Sequence, residues 1–286
     1  MVKALIICNP KSGRGRAIKS GFLIKEELKD MYESDVLACE TLEMLEHALT
    51  EDIKNYEVLI ICGGDGTFHQ CINFLCKTEY RPKICYIPFG TACDTGKNLG
   101  MSKNIKKSLE IIKKDKVRKM PIMKANDIYV CYAMATGKYV STSFLTSRRL
   151  KILGPIGYLL LGLLEVFMDY NLRLYVNDFI NPTNYNTKVV CILNTRSIGS
   201  ITLKKIEKKI VAIQGNVVYS LAGIVLRRQI ISTKSVTVLP LTKDYIINIG
   251  KQTWSVDGEK VIIDGDIKIQ HNACEFDVVY NDITAK

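Results

Sequence analysis

Three short glycine-rich stretches concentrate the residues able to do chemistry: Asn9-Pro-Lys-Ser-Gly-Arg-Gly15, Gly63-Gly-Asp-Gly-Thr67 and Pro88-Phe-Gly-Thr-Ala-Cys-Asp94. Glycine admits positive φ and close backbone approach, so successive N–H groups can turn toward an anion. Each stretch follows an apolar run and precedes a helical pattern, and the positive end of a helix adds to that attraction. Asp65, set between glycines at a strand end, has no packing role and suits a magnesium ligand, direct or through water. Brought to one sheet edge, the three stretches would form a polyphosphate cradle. A fourth place is Val256-Asp-Gly-Glu259. Two carboxylates flanking one glycine can divide the work of proton abstraction, one as base and one orienting it. Taken alone, Asp257-Gly258-Glu259 reads better as a plain β-turn, Asp-Gly being a favoured hairpin dipeptide.

The elements that must position these residues follow from periodicity. Strand-length apolar runs lie at Val2–Cys8, Val36–Cys39, Val58–Cys62 and Ile84–Ile87, and between them Arg16–Tyr32, Leu42–Ile53 and Thr67–Lys77 show helical spacing. Strands alternating with helices predict an α/β domain with a parallel sheet covered by helices, its ligands outside the carboxyl ends of the strands. A basic helix near Lys103–Lys116 closes this half. After Arg118 short alternating runs rich in Val, Ile and Tyr dominate, at Asp127–Tyr132, Leu172–Val176, Lys188–Leu193, Lys234–Leu239, Tyr245–Ile249, Lys260–Ile263 and Phe276–Tyr280. They predict a mostly β, sandwich-like C-terminal domain, with helices around Tyr158–Phe167 and Val217–Leu226. The expected domains are 1–119 and 120–286.

Composition narrows the partners. The 286 residues, 47% apolar and 24% charged, belong to a folded globular chain rather than a disordered one. Forty Lys and Arg against 29 Asp and Glu leave a net charge of +11, which suggests an anionic partner. No recognised module or aromatic platform supports nucleic acid. The ten cysteines sit mostly in or after apolar runs, without C-x-x-C spacing, and read as reduced, buried thiols. His47, His69 and His271 offer no metal-ligand spacing. The greasiest stretch, Ile152–Leu164, is interrupted by Gly154, Pro155 and Gly157 and falls short of the ~20 residues a spanning helix needs. A cytoplasmic protein that touches an anionic membrane surface from outside is the expectation, with Arg148–Lys151 and the apolar stretch after it as the docking element. Gly90–Asn98 is not a P-loop, since five residues separate its glycines and Asn98 replaces the hydroxyl.

In this order and with these separations, NPKSGRG, GGDGT and P-x-G-T-x-x-D resemble the diacylglycerol kinase catalytic-domain family, which includes bacterial soluble lipid kinases and the sphingosine and ceramide kinases. Arg148–Tyr158 is similar to the family's basic stretch before a Gly-x-x-Tyr helix, and Val256–Glu259 to its late D-G-E motif. The resemblance implies an ATP- and Mg2+-dependent kinase acting on a lipid hydroxyl, with its active site in the cleft between domains. It implies that Asn9, Ser12, Gly13 and Gly15 form the first nucleotide loop and that Thr41 touches the nucleotide. Gly63, Gly64, Asp65, Gly66 and Thr67 would hold the phosphates, with Asp65 near magnesium, and Thr91 and Asp94 would complete the pocket. Asp257 and Glu259 would face the arriving hydroxyl, Glu259 as base and Asp257 as the alternative.

The chain departs from the family at several points. Cys93 stands where members usually carry Asn, Gln70 where Glu is common, and Met120-Pro121-Ile122 offers no carboxylate at the domain crossing. Thr202–Lys209 is a lysine-rich loop in place of an acidic one that binds a structural magnesium, so no separate structural magnesium is expected. These departures keep open a catalytically weakened nucleotide- or lipid-binding protein of the same fold; the shared GGDG gives a further reading as an NAD kinase, which NPKSGRG and D-G-E disfavour.

Overall fold

Strands buried on both faces of a sheet read as unbroken apolar runs, and four of them build the first part of this chain. The computed structural model describes residues 1–10, 12–90, 93–137, 171–177, 183–198 and 201–282. Strands β1 (Val2–Cys8), β2 (Tyr32–Ala38), β3 (Val58–Gly63) and β4 (Lys83–Pro88) alternate with helices α1 (Arg16–Glu27), α2 (Leu42–Thr50) and α3 (Asp65–Leu75); α4 (Asp94–Asn98) and α5 (Ile105–Lys113) follow. The strands lie parallel in the order β2-β1-β3-β4. Helices α1 and α5 touch each other and share one face of the sheet, while α2 and α3 pack together on the other. The helix expected to run from Arg16 to Tyr32 ends at Glu27, and β2 begins at Tyr32. Its first residues alternate, with Tyr32 and Ser34 buried and Glu33 and Asp35 exposed, so the period-2 signal starts before the apolar run that marks the strand.

The chain divides into two units, one made of Met1–Ile122 with Ser197–Ser200 and Asn272–Lys286, the other of Met123–Arg196 and Ile201–His271. The first unit is therefore discontinuous in sequence. It gains the second half of the last strand, β16 (Asp266–Val279), which pairs parallel with β4 at Val278 and Ile84.

The second unit is mostly antiparallel β. After β5 (Val117–Ala125) come β6 (Ile128–Val130) and β7 (Ala133–Gly137), then β8 (Leu172–Asn177), β9 (Thr183–Thr187), β10 (Val189–Ile198) and β11 (Ile201–Ile213). Helix α6 (Val217–Arg227) precedes β12 (Val236–Pro240), β13 (Tyr245–Asn248), β14 (Gln252–Val256) and β15 (Glu259–Ile263). One six-stranded sheet runs β12-β11-β10-β7-β14-β15. Strands β13, β8 and β9, with the first half of β16, form antiparallel pairs in another. Between them lies a core of Leu174, Val190, Ile192, Ile247 and the lone tryptophan, Trp254, all fully buried.

Two expectations change here. The lysine-rich stretch Thr202–Lys209 is not a loop but part of β11, whose Lys209–Ile213 segment pairs with β12; its Ile, Leu and Thr give it strand propensity despite the lysines. The cysteines are not all reduced, because Cys76 and Cys274 form a disulfide across 198 residues, with Cα atoms 6.5 Å apart. Cys76 caps the end of α3 and Cys274 lies on β16, a proximity made by the returning strand and invisible in spacing. The other eight form no disulfide, and burial pushes the thiols of Cys85 and Cys191 up to about 12. Among the described residues, no helix is long and apolar enough to cross a membrane; the basic stretch Arg148–Lys151 and the apolar Ile152–Leu164 lie outside those residues.

Candidate active site

Register brings the three glycine-rich turns level. Cys8 pairs with Cys62, and Gly63 with Pro88, so β1, β3 and β4 end together and their turns leave from one sheet edge. Between β1 and β3 the chain's direction of travel across the sheet reverses, which is where open parallel sheets hold ligands. At that point the Asn9 N–H donates to the Cys62 carbonyl at 3.1 Å, and Asn9 Nδ2 donates to Thr67 Oγ1 at 2.8 Å. The first and second turns are thus tied by side chain as well as backbone. Ser12 donates its N–H to the Asn9 carbonyl and opens a one-turn 3-10 helix ending at Gly15. Gly13 has φ +60, and a Cβ there would meet the Phe89 ring at 3.3 Å, so the first turn also lies against the third.

The second and third turns touch backbone to backbone. A Cβ on Gly90 would stand 2.8 Å from the Gly64 Cα, which no side chain can occupy. The Gly63 carbonyl accepts from the Phe89 N–H at 2.8 Å and from the Tyr86 hydroxyl at 3.1 Å. Asp65 spans the junction. Its two carboxylate oxygens accept the N–H groups of Asp94 (3.1 Å) and Thr95 (2.9 Å), and so cap α4 from another turn. Each oxygen keeps a further lone pair, so a magnesium ion fits as an additional partner of this carboxylate. Gly66 lies next to it in the first turn of α3. Asp94 is buried and takes a 2.8 Å hydrogen bond from Lys97 Nζ. Thr91 lies outside the described residues.

The substitution at Cys93 has a backbone context. Cys93 adopts φ 52, ψ 48, a left-handed conformation in which Asn is several-fold enriched among non-glycine residues. Its thiol donates to the Gly90 carbonyl at 3.0 Å, and burial, with the Asp65 charge second, pushes that thiol up. Gly90→Ala tests the contact between the second and third turns. Overpacking there is expected to cost about 1–3 kcal/mol and to weaken nucleotide binding about tenfold, read by thermal unfolding and by titration with a fluorescent nucleotide.

Beside the first two turns opens a cleft of about 450 Å3, lined by Asn9, Thr41, Thr67 and Gln70 with Ile7, Leu42 and Leu45 among others. That volume lies within the ordinary range for small-molecule sites. Thr41 is the N-cap of α2, its hydroxyl accepting from the Met44 N–H at 3.2 Å, and its proton stays able to donate into the cleft. Gln70 places a neutral amide in the lining of this cleft. Sequence reasoning missed Thr95 and Lys97. Thr95 is buried, with a hydroxyl that has no partner among the described residues, and Lys97 follows Asp94 at the i,i+3 spacing of a helical ion pair.

In the second unit, Asp257 and Glu259 part company. Val256 pairs with Glu259, and Asp257 and Gly258 have φ 48 and 92, so the two form a two-residue hairpin loop with both φ positive. The turn reading of Asp-Gly is correct, yet Asp257 is 2% exposed. Its carboxylate accepts three backbone N–H groups, from Cys131 at 2.6 Å and from Tyr132 and Ala133 at 2.9 Å. Asn194 holds the same segment from the other side, donating to the Cys131 carbonyl at 3.3 Å. Glu259 is exposed at the start of β15.

Residues 3–125 match the model of the diacylglycerol kinase catalytic domain. A protein named diacylglycerol kinase from Staphylococcus aureus (strain JH9) is 36% identical over 174 residues, covering 56% of this chain and 52% of that protein. Its counterpart from the bovine strain RF122 / ET3-1 is 37% identical over 168 residues. The chain spans about half the length of these relatives. Among solved structures, a putative diacylglycerol kinase from Bacillus anthracis str. Sterne superposes with a TM-score of 0.81 at 21% identity, covering 98% of this chain and 97% of that one. A second structure, of a diacylglycerol kinase from the same strain, gives 0.76 at 18%. Likeness at that identity speaks for the fold, an α/β unit followed by a mostly antiparallel β unit. The matched residues 3–125 contain all three glycine-rich turns, so the likeness to the diacylglycerol kinase catalytic domain includes each of them.

Proposed function

We propose that this protein is a lipid kinase that transfers the γ-phosphate of ATP, with Mg2+, to the hydroxyl of diacylglycerol or a related lipid. The observation that carries the reading is the meeting of three glycine turns at one sheet edge, so close that a Cβ on Gly90 would stand 2.8 Å from the Gly64 Cα. Phosphoryl transfer asks mainly for positioning and charge neutralisation. In this reading the nucleotide occupies the cleft beside Asn9, Thr41 and Thr67, and its phosphates lie against the turns that carry Ser12, Gly13, Gly15, Gly63, Gly64 and Gly66, with Thr91 and Asp94 completing that side. Magnesium, held by Asp65 with the nucleotide, would neutralise charge on the phosphates.

Glu259 accepts the proton of the lipid hydroxyl as its oxygen attacks the γ-phosphorus and the bond to the β-phosphate oxygen breaks, leaving ADP. Asp257, committed to three N–H groups, positions the hairpin that presents Glu259. The requirement for ATP puts the proposed reaction on the cytoplasmic side of a membrane.

Label transfer from γ-labelled ATP onto a mixed lipid extract, with product identification, is the test. A single labelled phospholipid is the expected product. Label appearing on NAD when NAD is added alongside the lipids, or bound nucleotide without turnover, would overturn the proposal. With lysines where the family's acidic loop would be, titration of magnesium at saturating magnesium-ATP is expected to show one activating phase; a second phase would reveal a separate cation site.

A further inference from the structure

Helix α6 carries its apolar residues on the wrong side for a helix that only covers a sheet. Val217 and Ile224, seven residues apart and therefore on one face, are buried, and the helix packs on β11. The opposite arc would ordinarily be polar. Here it carries Tyr219, Ala222 and Leu226, flanked by exposed Val218 and Val225, with Tyr219 79% and Leu226 84% exposed. Ile231, just beyond the helix, is exposed as well. An apolar surface of this kind marks an interaction site rather than a solvent face.

Charge identifies the partner. From Lys208 to Lys243 the sequence contains no Asp or Glu, while Arg227, Arg228 and Lys234 are exposed at and beyond the end of α6. A second copy of this chain would bring the same cations against one another. An acidic lipid surface meets both features together, since apolar side chains enter the acyl boundary while Lys and Arg remain among the headgroups, and Tyr favours that boundary. We propose that α6 is the face by which this protein docks on a bilayer containing acidic phospholipid, Leu226 and Tyr219 inserting and Arg227, Arg228 and Lys234 contacting headgroups.

The test is co-sedimentation of the full chain with vesicles of phosphatidylcholine, with and without phosphatidylglycerol. No diacylglycerol or ATP is present, so binding is read independently of the kinase proposal. Wild type is expected to favour the acidic vesicles and to lose binding as salt rises. Tyr219→Glu with Leu226→Glu should lower partitioning about tenfold or more even at low salt, and Arg227→Gln with Arg228→Gln should remove the preference for acidic vesicles. Both changes lie on the surface, and circular dichroism should match wild type. In a separate variant, Tyr219→Trp should be quenched by lipids brominated along the acyl chain. Unchanged partitioning of the glutamate variant, equal binding to neutral and acidic vesicles, or no quenching would overturn the proposal. So would a wild-type dimer in sedimentation equilibrium that the glutamate variant dissociates, because a second copy would then own this face.

Discussion

Asp65→Asn is expected to lower phosphoryl transfer by on the order of 10²–10³-fold or more, the loss typical of removing one preorganised electrostatic partner. The carboxylate stands where three turns meet, and in the proposed reaction its charge would hold the magnesium that accompanies the triphosphate. Its two oxygens also hold the N–H groups of Asp94 and Thr95. Asn keeps one acceptor and replaces the other by a donor that faces an N–H, so a secondary loss of about 1.5–3 kcal/mol in stability should accompany the change. The two effects separate by assay at a temperature well below unfolding, with circular dichroism and nucleotide titration on the same sample. Activity within tenfold of wild type in a folded variant would remove Asp65 from the chemistry and leave it as the cap of α4.

Glu259→Gln and Asp257→Asn should fail in different ways. Glu259 is exposed, so Gln costs the fold almost nothing, and the expected result is a 10²–10⁴-fold fall in kcat with nucleotide affinity retained, the usual contribution of a general base. Asp257 is buried beneath three N–H donors. Asn tolerates its positive φ but can serve those donors with one oxygen only, and its amide adds a donor among donors. A stability loss of roughly 3 kcal/mol or more follows, with activity falling as the hairpin loosens. If Asp257→Asn proved as stable as wild type while Glu259→Gln kept full turnover, the assignment of base and positioning residue would be reversed.

Much of the first unit was legible because its strands are buried on both faces. Val2–Cys8 stands out as a run and is β1 residue for residue, and the motifs fall on the strand-to-helix turns because glycine there has no other use. The strands that were missed or shortened have mixed faces. β2 opens with Tyr32, Glu33, Ser34 and Asp35, and β16 begins ten residues before the apolar run at Phe276, through an alternating segment rich in polar residues. What no local pattern carries is the partner of a side chain far along the chain. Asp65 meets Asp94, and Asp257 meets Cys131 across 126 positions. Motif spacing marks both aspartates as important, yet only the contacts divide their roles. The same distance hides the Cys76–Cys274 bond.

The return of β16 to the first unit sets a schedule for the newborn chain. Ile84 reaches its sheet early in synthesis, but its neighbour Val278 is made ~200 residues later, a wait of roughly 10–40 s at ordinary rates of translation. Throughout that interval the outer edge of β4 has unpaired N–H and C=O groups, and Phe276, fully buried in the finished molecule, has not yet covered its part of the core. An exposed parallel edge of this kind invites pairing with other chains. The first unit therefore stays open at β4 until residues 272–279 have been made, and a ribosome that stalls between β4 and residue 272 leaves behind a sticky sheet rather than a closed unit.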